Sequence, residues 1–278
     1  MKRTIQAGFA AAALTLAAPL AMPAGAADLG GWGRGSIKDE MVAPARSMAG
    51  PCYFRSDVGY SWSNAPSMRW TAFQAADVPL DERVTRRSMD DTWLAEAGVG
   101  CGSGSRGFRY EFMLGYHGQR GVSGLTAPFT DGINIASRQI TSAITSYTGM
   151  VNGYYDLGNW RGVVPYVGAG VGLAYHQMDD YAYVTQGAIP YRVTGDNDLT
   201  LAWSLMAGIA YQVSDRAILD FGYRYLDLGR ASTSRTDNFS FTPSRLSLDD
   251  ITAHEIKIGL RYHMGGDACC AARPVPMK

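Results

Sequence analysis

Hydrophobic and polar positions near the C-terminus alternate one for one. In HEIKIGLRYHM, residues 254–264, Ile256, Ile258, Leu260, Tyr262 and Met264 share one parity, and Glu255, Lys257, Arg261 and His263 share the other. Successive side chains of a strand point to opposite faces, so alternation over this length predicts a strand with one apolar and one polar face. The same grammar returns along the chain. Strand 1, from Cys52 to Trp62, sets Phe54, Val58, Tyr60 and Trp62 against Arg55, Asp57, Gly59 and Ser61. Strand 2, from Thr92 to Cys101, sets Trp93, Ala95, Ala97 and Val99 against Glu96, Gly98 and Gly100, and strand 3 sets Phe108, Tyr110, Phe112, Leu114 and Tyr116 against Arg109, Glu111, Met113, Gly115 and His117. Strand 4, about Gln139 to Asp156, is the least regular: Tyr147, Val151 and Tyr155 oppose Ser146, Asn152 and Asp156, but Met150 and Tyr154 blur the period. Strands 5 (Val163 to Tyr175), 6 (Leu199 to Val213) and 7 (Arg216 to Leu228) restore it, and the opening stretch is strand 8.

The connections also alternate. Residues 63–91, 118–138, 176–198 and 229–248 are long, whereas 102–106, 157–162 and 214–215 are short. Strands crossing a bilayer with tight turns on one side and loops on the other produce this pattern, and a soluble sandwich does not. The outward-parity aromatics fall into two belts. Trp62, Trp93, Tyr116, Tyr147, Tyr175, Trp203 and Tyr225 lie near the long-loop ends, and Phe54, Phe108, Tyr110, Tyr155, Tyr211 and Tyr262 near the opposite rim. Amphipathic rings favour the headgroup level, with a Leu/Val/Ile/Ala band between. The predicted fold is all-β: an eight-stranded antiparallel transmembrane β-barrel of the outer-membrane type, over residues 52–264.

The N-terminus adds the export signal. A basic start (Lys2, Arg3), an apolar run from Ala7 to Leu20 and small residues up to Ala27 form a secretory signal peptide over residues 1–27, with cleavage after Ala26 or Ala27. Removing Lys2 and Arg3 from 25 basic residues against 25 acidic ones leaves a net charge of −2, which offers no broad basic field for nucleic acid. Residues 28–51 are rich in Gly and Pro and read as a flexible periplasmic lead-in, and residues 265–278 as a periplasmic tail.

If the apolar parity faces lipid, the polar parity faces the barrel interior. The inward charges are then Arg55, Asp57, Glu96, Arg109, Glu111, Asp220, Arg224, Glu255, Lys257 and Arg261, five basic and five acidic. An eight-stranded barrel has an interior just wide enough for side chains to fill, and desolvated charges must be paired, so a packed ion-pair plug is expected. The alternative is a narrow charged path, a small-solute channel of porin type. VGAGVG, residues 167–172, lacks the G-x-G-x-x-G spacing and a following helix, so no cofactor is expected. The histidines His117, His176, His254 and His263 show no metal-ligand spacing. His254 with Ser247 nearby is too weak a pair to predict a lipid-active enzyme, and no catalytic residue is assigned. Of four cysteines, Cys52 and Cys101 share a parity on adjacent strands at the periplasmic rim, which allows a disulfide between them; Cys269 and Cys270 follow strand 8, and four free thiols are the alternative.

YFRSDVGYSW (53–62), YYDLGNWRGVVPYVGAGVGLAY (154–175), FGYRYLDLG (221–229) and HEIKIGLRY (254–262) resemble the alphaproteobacterial opacity-type surface proteins, porin-family barrels related to the OmpA membrane domain. The resemblance implies residence in the outer membrane of a Gram-negative cell among its lipid and lipopolysaccharide. It also implies insertion by the barrel-assembly machinery, and long loops that meet a host or cell-surface ligand. Two departures stand out: strand 8 ends on Met264 where such barrels usually end on an aromatic residue, and a 14-residue tail supplies no peptidoglycan-binding domain. The expected function is therefore a structural and surface-interaction role for a plugged barrel.

Overall fold

The computed structural model describes residues 51–264 apart from 74–78, 103–105, 127–128, 132–133, 186–190 and 234–243. The signal peptide, the lead-in up to residue 50 and the tail with Cys269 and Cys270 lie outside the described residues. Eight strands form a closed antiparallel ring: β1 (Cys52–Ser63), β2 (Thr92–Gly102), β3 (Gly107–Thr126), β4 (Arg138–Asp156), β5 (Val163–Met178), β6 (Asn197–Gln212), β7 (Ala217–Asp227) and β8 (Thr252–His263). Each pairs with its neighbours in sequence, and β8 closes on β1 with Phe54 opposite Tyr262 and Trp62 opposite His254. Closure leaves no strand edge in the ring, as hydrocarbon requires.

The polarity of the barrel is the reverse of a soluble protein's. Leu201, Phe108 and Val58 are 68%, 67% and 62% exposed, while Arg109, Asp220, Arg224 and Glu255 are fully buried. Only a solvent less polar than the interior makes that arrangement stable. The rings at the long-loop rim touch around the circumference: Trp93 to Tyr116 (5.2 Å), Tyr116 to Tyr147 (5.4 Å), Tyr147 to Tyr175 (6.4 Å), Trp203 to Tyr225 (5.6 Å) and Tyr225 to His254 (5.4 Å). At the other rim Phe108 packs edge-on against Tyr155 at 5.1 Å.

Beyond the upper girdle the polarity reverts. The four long connections, expected as loops, are largely strand: Ser67–Phe73 and Pro79–Met89 pair with each other, Ser67–Phe73 pairs with Ser244–Asp249, and Pro79–Met89 joins the upper half of β3. Tyr181–Thr185 adds to the upper end of β4 and pairs with Tyr191–Val193. Here Met68, Trp70, Val84, Leu246 and Leu248 are buried and arginines face outward, the ordinary arrangement in water. The barrel therefore continues above the membrane as an extracellular sheet with its own apolar interior.

Two strands correct the sequence reading in detail. β3 does not stop at His117 but runs on to Thr126 through a register shift between His117 and Arg120, which brings both side chains inward. In β4, Met150 and Tyr154 are inward-facing, so the blurred period came from apolar residues on the interior face. At the periplasmic rim Cys52 and Cys101 lie opposite each other in the β1–β2 register and are joined by a disulfide.

Candidate functional site: the barrel interior

All ten charged residues expected to point inward do so, and each is at most 4% exposed. Eight of them, with Asp156, form one chain of alternating sign along the barrel. Asp156 accepts from Arg109 Nη2 at 3.2 Å, and Arg109 Nη1 donates to Glu111 at 2.5 Å. Glu111 also accepts from Arg55 Nη1 at 2.9 Å and from the Tyr53 hydroxyl at 2.7 Å. Arg55 Nε donates to Asp57 at 2.8 Å, and Asp57 lies 3.2 Å from Lys257 Nζ. Lys257 donates to Glu96 at 2.7 Å, Arg224 Nη2 to the other oxygen of Glu96 at 2.6 Å, and Arg224 Nε to Glu255 at 2.5 Å. The tenth and eleventh members are a separate pair: Arg261 grips Asp220 with Nε at 2.6 Å and Nη2 at 3.0 Å; only Arg261 and Asp220 stand apart from the chain.

The strict alternation of sign is what a dry interior demands. Every carboxylate in the chain touches a cation, and Glu111, Asp57, Glu96 and Glu255 each touch two cationic or hydrogen-bonding neighbours. Space for these long side chains comes from glycines on facing strands. A Cβ at Gly98 would overlap the Phe112 carbonyl oxygen, and one at Gly259 would overlap the Asp57 carboxylate. The Arg109 guanidinium also lies over the Tyr154 ring at 4.1 Å and the Tyr166 ring at 5.0 Å, which closes the periplasmic side of the chain.

Sequence reasoning left out five participants, one of them Tyr53 on Glu111. Asp156 ends the chain at one side; at the other, Ser61 donates to Glu255 at 3.2 Å and accepts from Arg120 Nη2 at 3.0 Å, and His117 Nδ1 lies 3.3 Å from Glu255. Asp156 and His117 were visible as polar inward positions, but Arg120 is reached only through the bulge. The lumen also holds apolar side chains beside these polar groups: Ile144, Met150, Ala174, Ala202 and Leu226 are buried in one cluster that continues into the extracellular sheet. His176 Nε2 donates to the Leu228 carbonyl at 3.0 Å, and its Nδ1 lies 2.8 Å from the Ser146 hydroxyl.

The remaining candidate chemistry is dispersed. His254 faces outward in the girdle, hydrogen-bonded to the Tyr223 hydroxyl at 2.6 Å, while Ser247 lies on the extracellular strand opposite Arg69. His263 packs against the Tyr53 ring at 5.0 Å. Among the described residues no group of three His, Cys, Asp or Glu side chains has the geometry of a metal site.

Residues 42–263 match the model of a family described as the outer membrane protein beta-barrel domain. The chain belongs to that family. Its place is therefore the outer membrane of a Gram-negative cell, where the reversed polarity of the barrel wall is the stable one. An uncharacterised protein of Brucella suis is 29% identical over 207 residues, which is 66% of this chain and 69% of the relative. Outer membrane protein PagN of Salmonella typhimurium is 31% identical over 107 residues, 38% of this chain and 43% of that protein. Among solved structures, outer membrane protein OprG from Pseudomonas aeruginosa aligns over 79% of this chain and 99% of its own, at 13% identity and a TM-score of 0.47.

Proposed function

We propose that this protein is a closed, non-conducting barrel whose work is done on the cell surface by the sheet it carries above the membrane. The observation that carries the reading is the burial of the inward charges. A path wide enough for water would leave Arg55, Glu96, Arg109 or Lys257 accessible, yet none exceeds 4% exposure. The apolar cluster beside them adds a barrier of different chemistry, since an ion in the lumen would also meet Ile144, Met150 and Leu226. In this account the ion-pair chain holds the strands in register and supports the extracellular sheet. It has no catalytic role and needs no cofactor.

A surface role agrees with the company the chain keeps. A Rickettsia bellii protein named as a candidate adhesin is 24% identical over 115 residues, 41% of this chain and 50% of that protein. Insertion by the barrel-assembly machinery belongs to the same proposal, with Ile256, Ile258, Leu260 and Tyr262 of β8 as the lipid-facing edge presented during closure.

Solute entry into proteoliposomes tests the closed barrel. Vesicles carrying the refolded protein are expected to swell in arabinose or glycine no faster than empty vesicles. Swelling that scales with protein content would favour the channel reading.

A further inference from the structure

The outward face of the extracellular sheet collects arginine. In the Ser67–Phe73, Pro79–Met89 and Ser244–Asp249 strands, Arg69 stands directly opposite Arg83 on one side and Ser247 on the other, and Arg245 lies opposite Thr71, diagonal to Arg69. All three arginines are exposed. Like charges thus stand directly opposite on neighbouring strands, which concentrates positive potential on this exposed face. A second feature adds to it independently. Between Thr85 and Ser88 the strand bulges, and Arg86 sits at φ 46°, in the left-handed region that non-glycine residues rarely adopt. The bulge puts Arg86 and Arg87 side by side on the exposed surface instead of one in and one out. Two grooves flank Arg69: one holds Arg230 and Arg245 with Ser247 and Asp249, the other Arg83, Arg86 and Arg87. Among the described residues that line these two grooves, six arginines thus meet two aspartates, Asp198 and Asp249.

The wall is continuous with the barrel and stands over the outer leaflet. Ser247, beside Arg69, precedes the girdle residue His254 by seven positions. At about 3.3 Å per residue and a tilt near 45°, that places the arginine row roughly 15 Å above the girdle. In a Gram-negative outer membrane this height is occupied by the phosphate- and carboxylate-bearing sugars of lipopolysaccharide. Guanidinium groups bind phosphate through paired, charge-assisted hydrogen bonds, and a flat array of them matches a polyanion better than a single point charge does. We propose that the Arg69–Arg83–Arg245 face, extended by Arg86, Arg87 and Arg230, binds the phosphorylated inner region of lipopolysaccharide from the surrounding leaflet. The site belongs to the outer-membrane placement and does not depend on whether the lumen conducts.

The test uses the refolded full barrel and purified deep-rough lipopolysaccharide, with bound lipid counted by native mass spectrometry. An Arg69→Ser, Arg83→Ser, Arg245→Ser variant is compared with Arg106→Ser, Arg161→Ser, Arg216→Ser, which removes equal charge from the periplasmic rim. Folding of both is verified by the heat-dependent gel shift. The native protein and the periplasmic-rim variant are expected to bind alike, the extracellular variant about tenfold more weakly, and all three weakly once the lipid phosphates are removed enzymatically. Equal binding by the two variants would overturn the proposal, as would native binding that survives dephosphorylation. A loss by the extracellular variant confined to a sulfated polysaccharide such as heparin, with lipopolysaccharide binding intact, would also overturn it.

Discussion

Replacing Arg224 with Ala is expected to destabilise the folded barrel by about 3–5 kcal/mol, the cost of leaving buried charge without its partner. Arg224 joins Glu96 to Glu255, at 2.6 and 2.5 Å, and both carboxylates are buried. Without it Glu96 keeps Lys257, while Glu255 keeps Ser61 and His117 and loses its strong cation. The midpoint of urea unfolding in lipid vesicles, read by the heat-modifiable band, measures the effect. The double change Arg224→Met with Glu255→Gln removes one cation and one anion together, and is expected to recover more than half of the loss. A midpoint unchanged by Arg224→Ala would mean that water reaches these carboxylates.

A larger effect on assembly is expected at Gly98. It sits in β2 between Arg55 of β1 and Met113 of β3. A Cβ there would overlap the Phe112 carbonyl oxygen and lie 2.6 Å from Met113 Sδ, so backbone as well as side chain would have to move. The cost exceeds the roughly 1–3 kcal/mol of ordinary overpacking, because the displaced carbonyl belongs to the neighbouring strand. Gly98→Val is expected to abolish the folded, heat-modifiable species on refolding. Gly153→Ala is the matched control: its Cβ would meet nothing nearer than Tyr110 at 3.8 Å, and refolding is expected to be normal. Equal refolding yields for the two variants would show that the interior has slack, contrary to a tightly packed plug.

The wall of the barrel was legible because lipid and lumen impose opposite polarity on alternate residues. β1 and β8 carry that contrast at nearly every position, and their inward charges Arg55, Asp57, Glu255, Lys257 and Arg261 follow from parity alone. Where the inward residue is not polar, the contrast fades. Met150 and Tyr154 blurred the period of β4, and although Asp156 had the inward parity, its pairing with Arg109 was not read from it. A bulge defeats parity altogether, so Arg120 could not be placed from its distance to His117 in the chain. The extracellular sheet was missed for a different reason. Its strands bury Met68, Trp70, Leu246 and Leu248 and expose arginine, and short segments of that kind, rich in charge and joined by turns, resemble hydrated loops. The partners of each charge were legible only as a requirement: five basic and five acidic residues had to be neutralised, but which meets which depends on strand stagger.

The central claim is that the interior is sealed. Single-channel recording of the refolded mature barrel in a planar bilayer tests it most directly, with Arg109→Ala and Arg224→Ala recorded alongside. Arg109 lies across the periplasmic side of the ion-pair chain and Arg224 next to its opposite end. The predicted result is silence from the native protein and brief conductance events in the variants, whose lost side chains open the packed interior to water. Steady conductance from the native barrel, with an ion preference that changes in either variant, would contradict the account and make the charged interior a permeation path.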